Sequence, residues 1–104
     1  ELEELAATKL RALYQRSKGR DIYDLHKILN PELNVDLNKL VEVYRKYMEQ
    51  LNQPPSAKIF LRNMEQKMND PDFLRDTDAI LSPEEIYDPQ SAYDIVKRRI
   101  LEVL

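Results

Sequence analysis

Apolar residues recur every three or four positions along most of this chain, the spacing of one buried helix face. Leu2, Leu5, Ala6, Leu10 and Leu13 form the first stripe and predict a helix from Leu2 to Arg16, with Lys9, Ala12 and Arg16 on the neighbouring strip. Ile22, Leu25, Ile28 and Leu29 predict a second, from about Arg20 to Leu29, closed by Asn30-Pro31. Asp21 lies in its first turn, where the helix dipole favours a carboxylate. Asp36 is placed to cap a third helix carrying Leu37, Leu40, Val41, Tyr44, Met48 and Leu51, which Asn52-Gln53-Pro54-Pro55 should stop. Ser56 can cap a fourth with Ala57, Phe60, Leu61, Met64 and Met68 inward, and Asp70-Pro71 starts a short segment holding Phe73 and Leu74. Ser82-Pro83-Glu84-Glu85 has the form of a capping box, predicting a turn of helix there. Asp88-Pro89 opens the last helix, with Ala92, Tyr93, Val96, Ile100 and Val103. No run alternates with period two. The expectation is an all-α domain spanning residues 1–104, five to six short helices in an orthogonal or irregular bundle.

At 104 residues and 42% apolar content, the chain can fill one modest core. The pattern does not say which helix lies at its centre. Our expectation is that the helices after Val35 form the core and that the first helix is less protected. The chain begins at Glu1 rather than Met, which reads as the C-terminal piece of a longer protein. It has no cysteine, so disulfides and Cys-based metal sites are excluded. No apolar run approaches about 18 residues, the length a membrane-spanning helix requires. We therefore expect no membrane association and a cytoplasmic location.

The net charge of −3 is unevenly spread. Residues 9–20 are purely basic, whereas residues 70–94 carry Asp70, Asp72, Asp76, Asp78, Glu84, Glu85, Asp88 and Asp94 against Arg75 alone. The plain expectation is two solvated faces of opposite sign, with Asp76-Thr77-Asp78 a solvated turn. The single histidine, His26, has no second His or Cys for a zinc site and reads as a half-exposed helix residue. Ser17, Ser56, Ser82 and Ser91 have no histidine nearby, so a serine nucleophile is unsupported. The six tyrosines fall mostly on apolar faces, as core residues with a polar tip.

The remaining chemistry is concentrated in residues 9–24. Five cations (Lys9, Arg11, Arg16, Lys18, Arg20) precede Asp21 and Asp24, and Gly19 is the only glycine of the chain. On a helix Lys9 and Arg16 share one face, roughly 10 Å apart along the axis. Gly19 is expected to end that helix in the usual C-terminal way. Cations and carboxylates then converge at a corner, as a phosphate or nucleotide site requires. The competing reading is a plain surface pair of Arg20 and Asp24 at i and i+4, worth roughly 0.3–0.5 kcal/mol.

Lys9-Leu10-x-Ala12-Leu13-x-x-Arg16 followed by Lys18-Gly19-Arg20-Asp21-x-x-Asp24-Leu25 resembles the third and fourth motifs of AbiEii/AbiGii-type nucleotidyltransferase toxins. Phe73-x-x-Asp76 and Tyr87-Asp88-Pro89-x-x-Ala92-Tyr93 resemble that family's C-terminal helices. The resemblance implies a parent transferase that moves a nucleoside monophosphate from an NTP to an acceptor, tRNA in some relatives, with Mg²⁺. It implies a toxin of toxin–antitoxin and abortive-infection (phage-defence) systems. By carry-over, Lys9, Arg16 and Arg20 bind substrate phosphates, and Asp21 and Asp24 are the catalytic carboxylates. The family's Gly-Ser turn and Asp-x-Asp metal pair have no counterpart here. Metal ligands are therefore expected in a missing N-terminal nucleotidyltransferase domain, with no metal or cofactor bound by this piece. Expected partners are that domain, a cognate antitoxin and tRNA. Two alternatives stand beside this reading. One is a helical protein-interaction module. The other is a basic-patch nucleic-acid binder using Lys9, Arg11, Arg16, Lys18 and Arg20, with a second cluster at Lys97, Arg98 and Arg99.

Overall fold

Asp36, Ser56, Asp70 and Asp88 each open a helix as N-cap, their side chains accepting from the backbone N–H of Lys39, Ile59, Asp72 and Gln90. The computed structural model describes residues 1–51 and 54–104. Among these residues there are six α-helices: α1 (Leu2–Gln15), α2 (Arg20–Ile28), α3 (Leu37–Met48), α4 (Ala57–Lys67), α5 (Pro71–Arg75) and α6 (Pro89–Arg99). Short 3-10 turns at Pro31–Leu33 and Leu101–Val103 follow α2 and α6. There is no strand among the described residues, so the fold is all-α. None of these helices is long and apolar enough to cross a membrane.

The first helix is the centre of the core, contrary to the expectation that it would be peripheral. Ala6, Ala7, Leu10 and Leu13 of α1 are fully buried, and α1 packs against α2, α3 and α4. Two alanines side by side leave room for neighbouring helices to come close, while Leu10 and Leu13 fill the space below. Leu5, assigned inward from its spacing, is half exposed, and Ala7 takes its place. Around α1 gather Leu40, Tyr44 and Met48 of α3, Phe60 and Met64 of α4, and Ile22, Leu25 and Ile28 of α2. Helix α6 covers the far side of α2 with Ala92, Tyr93 and Val96, and the chain end, Ile100 and Leu101, turns under α4.

Boundaries differ from the sequence pattern in two informative places. Helix α3 ends at Met48, before Leu51; the stop assigned to Asn52-Gln53 lies outside the described residues. The Ser82 box makes a single hydrogen-bonded turn, Glu85 N–H to Ser82 carbonyl at 3.1 Å, and no helix. Its Glu85 carboxylate is engaged elsewhere, accepting from the Tyr23 hydroxyl at 2.7 Å and pairing with Lys27 at 2.9 Å. A capping box needs that carboxylate to reach back to its own N-cap. The two α2 side chains instead tie the 82–88 segment to the bundle.

Candidate functional site

The corner between α1 and α2 is built by groups that come to it from the other half of the chain. Helix α1 stops at Gln15, and Arg16 turns to extended backbone with φ −135° and ψ 167°. The last carbonyls of a helix lack partners within it. Here the Lys67 ammonium, at the end of α4, supplies them: it donates to the carbonyls of Leu13, Tyr14 (3.1 Å) and Arg16 (2.9 Å). No basic residue lies in the last turn of α1 itself, so Lys67 provides the cation that the negative end of the dipole favours. Burial pushes the Lys67 ammonium down to about 8, and the Asp21 carboxylate opposes that shift.

Gly19 does not end α1 through a left-handed conformation, as expected from its position. It is the N-cap of α2, with φ −60° and ψ −23°, a conformation open to any residue. What requires glycine is space: a Cβ here would lie 2.1 Å from the carbonyl oxygen of Phe73 in α5. Because glycine has no side chain to cap α2, Asp76 does so from across the bundle. Its Oδ2 accepts from the Arg20 backbone N–H at 3.1 Å and from Arg20 Nε at 3.3 Å. Asp76-Thr77-Asp78 is therefore only partly the solvated turn it was expected to be. Asp78 is exposed, but Thr77 is buried and Asp76 is held against α2.

The five singled-out side chains, with Asp76 as a sixth, meet at this corner in three ion pairs. Arg16 grips Asp21 with two bonds, Nε to Oδ2 at 2.9 Å and Nη2 to Oδ1 at 2.8 Å. Asp21 is completely buried while the Arg16 side chain remains 49% exposed. The carboxylate also raises the Arg16 pKa above its ordinary value, chiefly through that bond. Lys9 Nζ lies 2.8 Å from Asp24 Oδ2, with both groups part-exposed at 26% and 35%. Arg20 pairs with Asp76, not with Asp24, and is 49% exposed against 19% for its partner. In the two arginine pairs the carboxylate lies inside and the guanidinium outside. The corner thus shows cation edges to solvent over a layer of anchoring acids.

The acids meet the basic stretch here, so the two solvated faces of opposite sign are partly one interface. Of the other basic residues, Arg11 stacks over the Tyr47 ring at 5.3 Å, and Lys18 is exposed with no ion pair among the described residues. In the second cluster Arg99 Nη1 donates to the Leu29 carbonyl at 2.7 Å, closing the end of α2.

Nucleotidyl transferase AbiEii toxin, type IV toxin–antitoxin system, is the family description that matches, over residues 1–97. The chain belongs to that family. No curated protein and no solved structure matches it. A nucleotidyltransferase of this family brings Mg²⁺ and NTP into question, and the donor set at the corner does not suit a divalent cation. Both oxygens of Asp21 are taken by Arg16, and Asp24 and Asp76 each face a cation. No three His, Asp or Glu side chains converge on a common point among the described residues. A hard dication needs several oxygen ligands that are not already neutralised.

Lys67 and Asp76 are the members of this AbiEii corner that the sequence did not single out as site residues. Nothing local marks Lys67, which closes the fourth helix as lysines often do. Asp21, by contrast, carried a signal: with Leu25 and Ile28 it forms the i, i+4, i+7 set of a buried face.

Proposed function

We propose that this chain is the C-terminal helical part of a cytoplasmic nucleotidyltransferase toxin and forms the phosphate-facing side of its active site. Lys9, Arg16 and Arg20 hold oxygens of the NTP, and the metal carboxylates lie in a preceding nucleotidyltransferase domain. A cognate antitoxin and a tRNA acceptor belong to the same reading. The reaction joins an acceptor oxygen to the α-phosphorus while the bond to the bridging oxygen breaks and pyrophosphate departs. Charge grows on the departing oxygens, and fixed cations that need no rearrangement are the groups that stabilise it.

The observation that carries this reading is the layering of the corner, with arginine edges outward over a fully buried Asp21 and a part-exposed Asp76. A guanidinium so held has lost its rotamer freedom before substrate arrives, so less entropy is lost on binding. In this arrangement Asp21 acts by positioning Arg16. Asp24, part-exposed beside Lys9, is the carboxylate within reach of a substrate. It can take the acceptor's proton only where Lys9 moves to a phosphate.

Lys9→Ala tests the proposal in the full-length transferase, with labelled NTP, Mg²⁺ and bulk tRNA. Loss of one charge-assisted contact, about 1.5–3 kcal/mol, should slow transfer roughly ten- to a hundredfold at unchanged melting temperature. The 104-residue chain alone should label no acceptor. Wild-type rates from Lys9→Ala, or transfer by the chain alone, would overturn the reading.

A further inference from the structure

Ile86 is the most exposed large apolar side chain among the described residues, 99% open to solvent. Its neighbours are not loose. Glu85 pairs with Lys27 at 2.9 Å, and the Tyr87 ring packs edge-on against Tyr23 with centroids 5.0 Å apart. The isoleucine is thus held outward between two anchors on α2. Glu84, just before them, is exposed and makes no ion pair among the described residues. Beside this segment a groove of about 390 Å³ opens where the end of α2 meets α6. The two adjoin: Lys27, which holds Glu85, lines the groove, and so does His26, whose ring lies 6.1 Å from that of Tyr87. The floor is aliphatic, made by Leu29, Pro31 and Ile95, and no acidic side chain lines the groove. With Lys27 neutralised, its working cations are Arg98 and Arg99. Arg99 donates to the Leu29 carbonyl at 2.7 Å, which fixes its guanidinium, and Arg98 is exposed with no ion pair among the described residues.

We propose that this face joins two copies of the chain in a symmetric dimer. Ile86 of each copy seats on the aliphatic floor of the other, and Glu84 of each pairs with Arg98 of the other. A floor of branched and cyclic aliphatic groups suits an aliphatic side chain, and an arginine without a partner suits a carboxylate beside it. The chain carries both halves of that match, and its own Ile86 leaves its own groove empty. What points to a second copy is the adjacency of segment and groove. In a two-fold interface the same patch meets itself, so residue i touches j while j touches i. A patch holding both complementary parts side by side makes both contacts at once and closes at two. Were the parts on opposite faces, the same contacts would build an open chain. One apolar anchor and one charge pair from each copy place this dimer among the weak, transient associations. It rests on no residue of the corner, so the transferase reading stands or falls separately.

Sedimentation velocity on the 104-residue chain, from about 10 to 500 μM, tests the dimer. The chain should pass from monomer to dimer across that range, and salt should weaken the association. The ring signal of His26, the only histidine, should move with the same concentration dependence, since it lines the groove. Ile86→Asp should leave a monomer; a side chain this exposed has no packing to lose, so folding is not at stake. Glu84→Arg and Arg98→Glu should each weaken association about tenfold or more, because each sets like charges against one another twice in the dimer. Mixing these two variants should restore it, since every contact in the mixed pair is again between opposite charges. Lys9→Ala, at the corner, should associate as wild type does. A chain that stays monomeric throughout overturns the proposal, as does a dimer indifferent to Ile86→Asp. Failure of the mixture to recover overturns the pairing of Glu84 with Arg98 across copies. Assemblies that grow beyond two with concentration overturn the reciprocal arrangement.

Discussion

Gly19 meets Phe73 backbone to backbone: a Cβ on residue 19 would stand 2.1 Å from the Phe73 carbonyl oxygen. The same contact lets Asp76, three residues on, reach the first N–H of α2. Gly19→Ala should therefore push α5 away from α2 and loosen the Arg20–Asp76 pair. The expected loss is about 1–3 kcal/mol, the usual range for forcing an extra carbon into packed structure. Chemical denaturation measures it. Since φ is −60° at this position, alanine would otherwise be neutral or favourable, and an unchanged midpoint would refute the contact.

Arg16 and Asp21 should behave as a unit. Arg16→Met leaves a fully buried carboxylate without its partner, a change of about 3–5 kcal/mol. The double variant Arg16→Met with Asp21→Leu should recover most of that loss, since neither charge then remains. A double-mutant cycle on thermal unfolding reads the coupling directly. Simple addition of the two single effects would mean that the pair is not formed.

Lys67 should make the fold more stable as the solution becomes moderately alkaline. Its folded value near 8 lies below the ordinary 10.5, so between these pH values the unfolded chain holds the extra proton. Stability contributed at this site therefore rises with pH across that window and is flat below it. Buried Tyr44 and part-buried Tyr87, raised by their own desolvation, titrate at higher pH, and comparison with Lys67→Met cancels them. The difference between wild type and variant should grow from pH 8 to 10; a constant difference would contradict the burial of this ammonium.

At the acid end the 82–88 segment should come loose first. Bonds from Lys27 and Tyr23 hold the Glu85 carboxyl below its ordinary 4.5. Its stabilising contribution is present above that pH and lost as the pH falls through the lower folded value. Glu85→Gln, which weakens the Lys27 pair, should free the segment at neutral pH as well. Amide exchange at Glu85, whose N–H is bonded to the Ser82 carbonyl, measures both, and equal protection in wild type and variant would exclude the tether.

What the sequence made legible is what local geometry controls. The caps Asp36, Ser56, Asp70 and Asp88 act on N–H groups two or three residues away, so their pattern transfers without knowledge of the fold. The Ser82 box failed because Tyr23 and Lys27, some 60 positions away, compete for its glutamate. Periodicity marked the apolar stripe of α1 but could not say that three helices would cover it. At the corner, residue type pointed to Lys9, Arg16, Arg20, Asp21 and Asp24 as a group. Their pairing was hidden because Asp76 and Lys67 enter from distant helices.

The Lys67 bond to Arg16 spans 51 residues, which gives the chain a problem in time. At roughly 5–20 residues per second, synthesis reaches Lys67 about 3–10 s after Arg16 has been made. Through that interval the end of α1 has no cation on its carbonyls, and the part of its apolar face that α4 covers stays open. A nascent chain in this state offers an amphipathic helix to any chaperone waiting at the ribosome exit. The arrival of α4 closes the interval by seating one ammonium on three carbonyls.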